Sequence, residues 1–217
     1  MSKNIVKHAH KPTRGRKGFN PDVREKVISA AAIVIEQNGL GGLKARTIAR
    51  RAAISVGSVY NLFGGLDDLI RIVNGRTYDD LHKAITQALE KSQTGGDSPR
   101  QQMLALAAAY LEFVRTHQMR WQSVLAFNRA RKETPPTWYL QKELDLLGII
   151  ENAVTPFPGV KDAEHKALIA RALWASIHGI VTIAVADGFH MQPLDTVSKQ
   201  IHLIVTAVAI SLEVEAA

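Results

Sequence analysis

The chain has 217 residues, 46% of them hydrophobic, and no cysteine. This excludes global disorder, a disulfide framework, a Cys-ligated metal and a thiol nucleophile. Its net charge of +7 is unevenly placed: residues 1–51 carry twelve Lys and Arg against three acids, whereas residues 52–217 carry 15 bases and 17 acids. A cationic first quarter on a slightly anionic remainder points to a polyanionic partner at the N-terminal end and away from a uniformly charged single-site enzyme.

Residues 1–19 hold Lys3, Lys7, Lys11, Arg14, Arg16 and Lys17 among few apolar residues, the composition of a disordered basic arm. Asn20-Pro21 reads as a helix start, with Asn as cap and Pro in the first helical position. Val23, Val27, Ala30, Ala31, Val34 and Ile35 then recur at helical spacing up to the stop at Asn38-Gly39. Leu43, Ile48 and Ala49 fit a short helix ending near Ala53, Ile54-Ser55 a turn, and Val56, Val59, Tyr60 and Phe63 a second short helix stopped by Gly64-Gly65. Leu66-Asp67-Asp68 opens a longer helix to about Ser92, with a bend expected near Gly75. Further helices are predicted over about 99–117, 119–131, 136–154, 162–186 and 194–214, separated by Pro135-Pro136 and the Pro156/Pro158/Gly159 cluster. Ile180–Val185 and Ile204–Ile210 are β-branched, but their length and 3.6-residue period favour helix. The expected fold is all-α, about nine helices with no strand or repeat.

The basic start is not followed by an apolar segment of signal-peptide kind, and the longest uncharged apolar run, Ala172–Ala186, is shorter than the ~20 residues a bilayer needs. A soluble cytoplasmic protein without a membrane partner is the expectation.

Residues 44–63 have the form helix, tight turn, helix. Arg46, Arg50 and Arg51 can meet phosphates from the first helix. Ser55 and the N–H groups after it make a helix N-terminus suited to a phosphate. Val56, Gly57 and Ser58 are small, so that helix end can press close to base edges, as the second helix of a helix-turn-helix does in the major groove.

With Ala31, Gly39, Arg46, Ile48-Ala49, Ala52, Ile54-Ser55, Gly57, Val59-Tyr60, Phe63 and Leu69 at these spacings, the stretch from Arg24 to Leu69 resembles the TetR family of bacterial transcriptional regulators. The resemblance implies a homodimer with an N-terminal three-helix helix-turn-helix DNA-binding head and a C-terminal helical ligand-binding and dimerisation bundle. The corresponding division is arm 1–19, head 20–66 and body 67–217. It also implies that Tyr60 touches a phosphate through its hydroxyl and that Arg46, Val56, Gly57, Ser58 and Asn61 face bases or backbone. With the arm, the candidate DNA-binding set is Arg14, Arg16, Lys17, Lys44, Arg46, Thr47, Ser55, Val56, Gly57, Ser58, Tyr60 and Asn61. The chain departs from the family pattern at three places. A capping Thr is replaced by Leu43 or Lys44, a frequent His by Leu62, and a phosphate-binding Lys by Leu66. The arm could compensate: Arg14-Gly15-Arg16 resembles the core of an AT-hook, in which Arg side chains enter a narrow minor groove. A generic solvated basic tail is the other reading.

In the body, Trp174-x-x-x-His178-Gly179 resembles the pattern of TetR-like regulators with a WHG type of C-terminal domain. Trp174 and His178 share a helix face, either as core or as pocket lining. Tyr110, Phe113, His117, Trp121, Phe127 and Trp138 complete the candidate ligand pocket; at helical spacing such residues also serve as plain core. Trp121 and Trp138 are the leading pocket candidates because their N–H groups need partners. The expected partners are a pseudo-palindromic double-stranded DNA operator, a second copy of the chain and an unidentified small hydrophobic effector, with no cofactor or metal.

The function expected is that of a ligand-released repressor. A sequence-indifferent basic nucleic-acid binder is the alternative. A helical-bundle enzyme is less favoured, since Glu-x-x-His, His-Glu-x-x-His, Gly-x-Ser-x-Gly and phosphate-loop motifs are absent. Asp162-x-x-His165 reads as an exposed helix start rather than a pair of metal ligands.

Overall fold

A computed structural model describes residues 21–131, 133–186 and 188–214. The arm, with Arg14, Arg16 and Lys17, lies outside the described residues, as does Asn20. Among the described residues there are nine α-helices and no strand: α1 (Pro21–Asn38), α2 (Ala45–Ala52), α3 (Val56–Phe63), α4 (Leu66–Thr94), α5 (Pro99–Thr116), α6 (Gln118–Ala130), α7 (Thr137–Val154), α8 (Ala163–Ala186) and α9 (Leu194–Glu213). A 3-10 turn, Leu40–Gly42, which the sequence pattern did not show, joins α1 to α2.

Two hydrophobic clusters organise the chain. The first gathers Val27, Ile28, Val34 and Ile35 of α1, Ile48 of α2, Val59 and Phe63 of α3, and Leu69, Ile70 and Val73 from the start of α4. It also takes in Phe127 of α6. The second is built by α4 from Tyr78 onward together with α5, α6, α7, α8 and α9. Helix α4 therefore belongs to both clusters, and α6 also touches both.

Helix ends follow their local chemistry. Gly39 (φ +66) and Gly64 (φ +78) adopt backbone that residues with a Cβ rarely enter, closing α1 and α3. Ser98 and Gln101 form a reciprocal capping box on α5. Asp162 accepts the His165 backbone N–H at 2.7 Å, and His165 Nδ1 accepts from the Lys161 N–H at 3.2 Å, so this pair is a helix start. Gly75 has a different use from the expected bend. It lies inside the continuous α4, and a Cβ there would come within 3.0 Å of Trp138, so its small size lets α7 approach α4.

Helix α8 extends past both the uncharged run Ala172–Ala186 and Arg171. Counting beyond the uncharged run, its 24 residues are long and apolar enough to cross a membrane by length and composition. Of its most apolar window 33% is buried in this chain, and the core helix of a soluble protein has the same length and composition.

Candidate functional site: a nucleic-acid interface and an interior cavity

Helix α2 buries Ala45, Ile48, Ala49 and Ala52, which turns Arg46, Arg50 and Arg51 outward and leaves Thr47 half-buried. Lys44 occupies the N-cap position in extended conformation and contributes no side-chain hydrogen bond, as its chemistry dictates. The turn is made by Ala53 in the left-handed region (φ 56, ψ 44), with its N–H on the carbonyls of Ala49 and Arg50 and the Ile54 N–H returning to Ala49 O.

Ser55 then caps α3. Its Oγ accepts the Ser58 N–H at 3.1 Å and lies 2.8 Å from Ser58 Oγ. Val59 and Phe63 fix the inner face of α3, so Val56, Gly57, Tyr60 and Asn61 stand exposed on the outer one, with Ser58 half-buried beside them. A Cβ on Gly57 would meet nothing closer than Ser55 Oγ at 3.9 Å. Packing within the chain thus does not require glycine there. The described DNA-binding candidates share one end of the molecule, on α2, the turn and α3. Leu66, where a phosphate-binding lysine was expected, is half-buried and packs with Leu62 against the first cluster, so neither reaches outward as a cation.

In the body, Tyr110, Trp121, Trp174 and His178 meet. The Tyr110 hydroxyl and His178 Nδ1 are 2.8 Å apart, and His178 stacks on Trp174 with centroids 5.1 Å apart. Trp121 packs edge-on against Tyr110 at 5.7 Å. Burial lowers the His178 pKa below the ordinary histidine value, because a charged ring would lose its hydration. Burial raises that of Tyr110.

Two cavities adjoin this cluster and share Leu146 and Trp174 in their walls. One, of about 50 Å³, is lined by Leu81, Ile85, Leu106, Ile150 and other apolar side chains; the other, of about 220 Å³, by Tyr78, Trp121, Asn128, Glu143 and His178 among others.

The other pocket candidates lie elsewhere. Phe113 is buried between His117 and Trp121, and His117 packs on it at 4.8 Å. Phe127 belongs to the first cluster, under the guanidinium groups of Arg71 and Arg131. Trp138 is 45% exposed and rests against Gly75. Sequence reasoning missed Tyr78, Asn128 and Glu143, which form one network. Tyr139 donates to Asn128 Oδ1 at 3.0 Å, and Asn128 Nδ2 reaches the Tyr78 hydroxyl at 3.0 Å and Glu143 Oε1 at 3.2 Å. The Tyr78 hydroxyl donates to the same Glu143 oxygen. Burial pushes the Tyr139 phenol up to about 12. A signal for Glu143 was present: it stands one turn from Tyr139 and Leu146, on the apolar face of α7.

Comparison with known proteins agrees with this arrangement. Residues 27–72 match the model described as bacterial regulatory proteins, tetR family, and residues 103–208 match the tetracyclin repressor-like C-terminal domain. The HTH-type transcriptional regulator BetI of Stenotrophomonas maltophilia (strain R551-3) is 27% identical over 165 residues, which cover 76% of this chain and 82% of that protein. A protein of unknown function from Rhodococcus sp. RHA1 superposes with a TM-score of 0.71 at 21% identity, covering 93% of this chain and all of the other. The multidrug binding protein EbrR, complexed with imidazole, superposes with a TM-score of 0.65 at 20% identity over 91% of this chain and 99% of its own. With both the reading head and the body matched, this chain belongs to the TetR family of DNA-binding transcriptional regulators.

Proposed function

We propose that the protein is a homodimeric repressor that reads a pseudo-palindromic operator with α3 and is released when a small hydrophobic effector enters the body cavity. The observation that carries this reading is the Ser55-capped α3. Its first residues and Tyr60 are exposed while its inner face is locked into the same cluster as α4. In this reading residues 20–66 form the head, 67–217 the body and 1–19 a DNA-facing arm. Lys44, Arg46, Thr47, Ser55 and Tyr60 serve the backbone, and Val56, Gly57, Ser58 and Asn61 lie against base edges.

The dimer is supported by apolar side chains left on the surface of the last two helices. Leu168 and Ile183 on α8 and Leu203, Ile210 and Val214 at the end of the chain's helical part are 50–68% exposed. Residues 203, 207 and 210 follow one stripe of α9, which ends just before the extended Val214. A two-fold interface on this face presents two heads to two half-sites. A cytoplasmic location and a non-catalytic body complete the reading. The effector role is supported by the aromatic-lined cavity, and EbrR, which has this fold, is a multidrug binding protein.

The test is fluorescence anisotropy with DNA from upstream of the protein's own gene. Affinity should exceed that for scrambled DNA at matched salt and fall about 10³-fold or more between 50 and 200 mM salt. Equal affinity for scrambled DNA defeats the proposal and favours the sequence-indifferent binder.

A further inference from the structure

The walls of the two body cavities contain one formally charged side chain, the carboxylate of Glu143. Its hydrogen bonds from Tyr78 and Asn128 end on Oε1, and among the described residues none reaches Oε2. Two arginines share a further surface recess with Glu143, Arg71 and Arg131. Both are engaged elsewhere, Arg71 on Asp68 at 2.8 Å and Arg131 on Asp67, and both lie over the Phe127 ring. Among the described residues no Lys or Arg forms an ion pair with Glu143. His178 is held toward its neutral form by burial, so it does not supply the missing charge near neutral pH.

Around this acid stand aromatic rings: Tyr78, Trp121 and Trp174 in the same wall, with Tyr78 and Trp121 centroids 6.1 Å apart. The Trp121 indole N–H is buried without a well-formed hydrogen bond, although the Tyr110 hydroxyl lies close enough to feel it. A half-buried carboxylate with no ion-pair partner among the described residues leaves a negative charge uncompensated beside the cavity, and aromatic faces attract cations through their quadrupoles. Both features favour a positively charged guest. The 220 Å³ chamber holds more than a single water, and beyond Leu146 and Trp174 the wall is apolar apart from Tyr110, with Leu81, Ile85 and Leu106 in it.

We propose that the cavity takes a lipophilic organic cation, with its ammonium group among Tyr78, Trp121 and Trp174 beside Glu143 and its apolar end toward Leu81 and Ile85. The proposal rests on reading this cavity as the effector site and adds the chemistry of the effector.

The probes are benzyltrimethylammonium and its uncharged carbon isostere neopentylbenzene, titrated into the full chain by calorimetry and followed by tryptophan fluorescence. The cation should bind at least about tenfold tighter than the isostere, and Glu143→Gln should lower that ratio by about tenfold. Gln retains an oxygen to accept from Tyr78, and thermal melting checks folding. Trp174→Leu, which removes one aromatic face and leaves the carboxylate, should lower the ratio by severalfold and serves if Glu143→Gln fails to fold. Equal binding of the two probes, or a ratio that neither folded variant moves, overturns the proposal. Operator release separates the two readings. If a neutral compound frees the DNA and the cation shows no preference, the charge assignment falls and the effector site stands. If the cation binds as described and no cavity ligand frees the DNA, the effector reading falls and the binding chemistry stands.

Discussion

Tyr60 and Gly57 lie one turn apart on the outer face of α3, and the proposed function gives them different roles. Tyr60 is 46% exposed, so its hydroxyl is free to meet a phosphate. Tyr60→Phe should weaken every operator variant alike by about fivefold, the worth of one hydrogen bond, measured by anisotropy at fixed salt. Gly57 has open space around its Cβ position, so Gly57→Ala should fold as well as the wild type or gain up to ~1 kcal/mol in helix propensity. The same change should weaken specific DNA binding, because the added methyl stands between α3 and the groove. Unchanged binding by Gly57→Ala would show that α3 does not approach the bases there. His178 carries a pH prediction. Its folded-state pKa lies below its unfolded value, so the unfolded chain takes up the proton first on acidification. Stability at this site is therefore complete above about pH 6.5 and declines as pH falls below it, by at most about 1.4 kcal/mol per pH unit. Thermal melts at pH 8 and 5.5 should show a smaller drop for His178→Gln than for the wild type.

The element that sets the reading geometry is the turn between α2 and α3. Ala53 takes a left-handed conformation that costs a residue with a Cβ ~1–2 kcal/mol. Ala53→Gly relieves this, less the extra entropy of glycine in the unfolded chain, and should raise stability by about 0.5–1 kcal/mol in denaturant titrations. Elements of this kind were legible in the sequence because their signals are local. Asn38-Gly39, Ser55 and Gly64-Gly65 announce helix ends within a few residues, and the observed boundaries fall within a residue or two of the expected ones. The cavity was only half legible. Aromatic spacing brought out Tyr110, Trp121, Trp174 and His178, but it does not say which helix faces which. Trp138 thus lies outside against Gly75, and Phe127 was drawn into the head cluster. Glu143 stood on the apolar face of α7, but spacing along one helix does not reveal its partners, Tyr78 on α4 and Asn128 on α6.

For the whole molecule, the cationic head and neutral-to-acidic body now have a spatial meaning. Three exposed arginines, Arg46, Arg50 and Arg51, sit together on α2, while most charged side chains of α4 pair within the chain, as in Arg76 with Glu25 and Asp80 with Arg120. The bidentate Arg76 pair holds the Glu25 carboxyl below the usual carboxylate range and ties α1 to α4. The exposed stripe on α9 makes the assembly testable. Leu203→Glu places a charge in the proposed two-fold seam and should convert a dimer to a monomer in analytical ultracentrifugation, with operator affinity falling by at least about 100-fold. A dimer that survives this change would place the interface elsewhere.

One feature of α6 reaches further. Trp121 sits in the wall of the cavity and Phe127 in the core of the reading head, six residues apart on one helix of fewer than four turns, a separation of about 9 Å. With the cavity as the proposed effector site, sensing and reading share a single helix, which predicts a distinctive genetics. Changes confined to α3 yield alleles blind to DNA, and changes confined to the cavity yield alleles blind to the inducer. Changes on α6 between these two residues can spare both affinities and erase the link between them, leaving a repressor that holds its operator and its inducer at the same time.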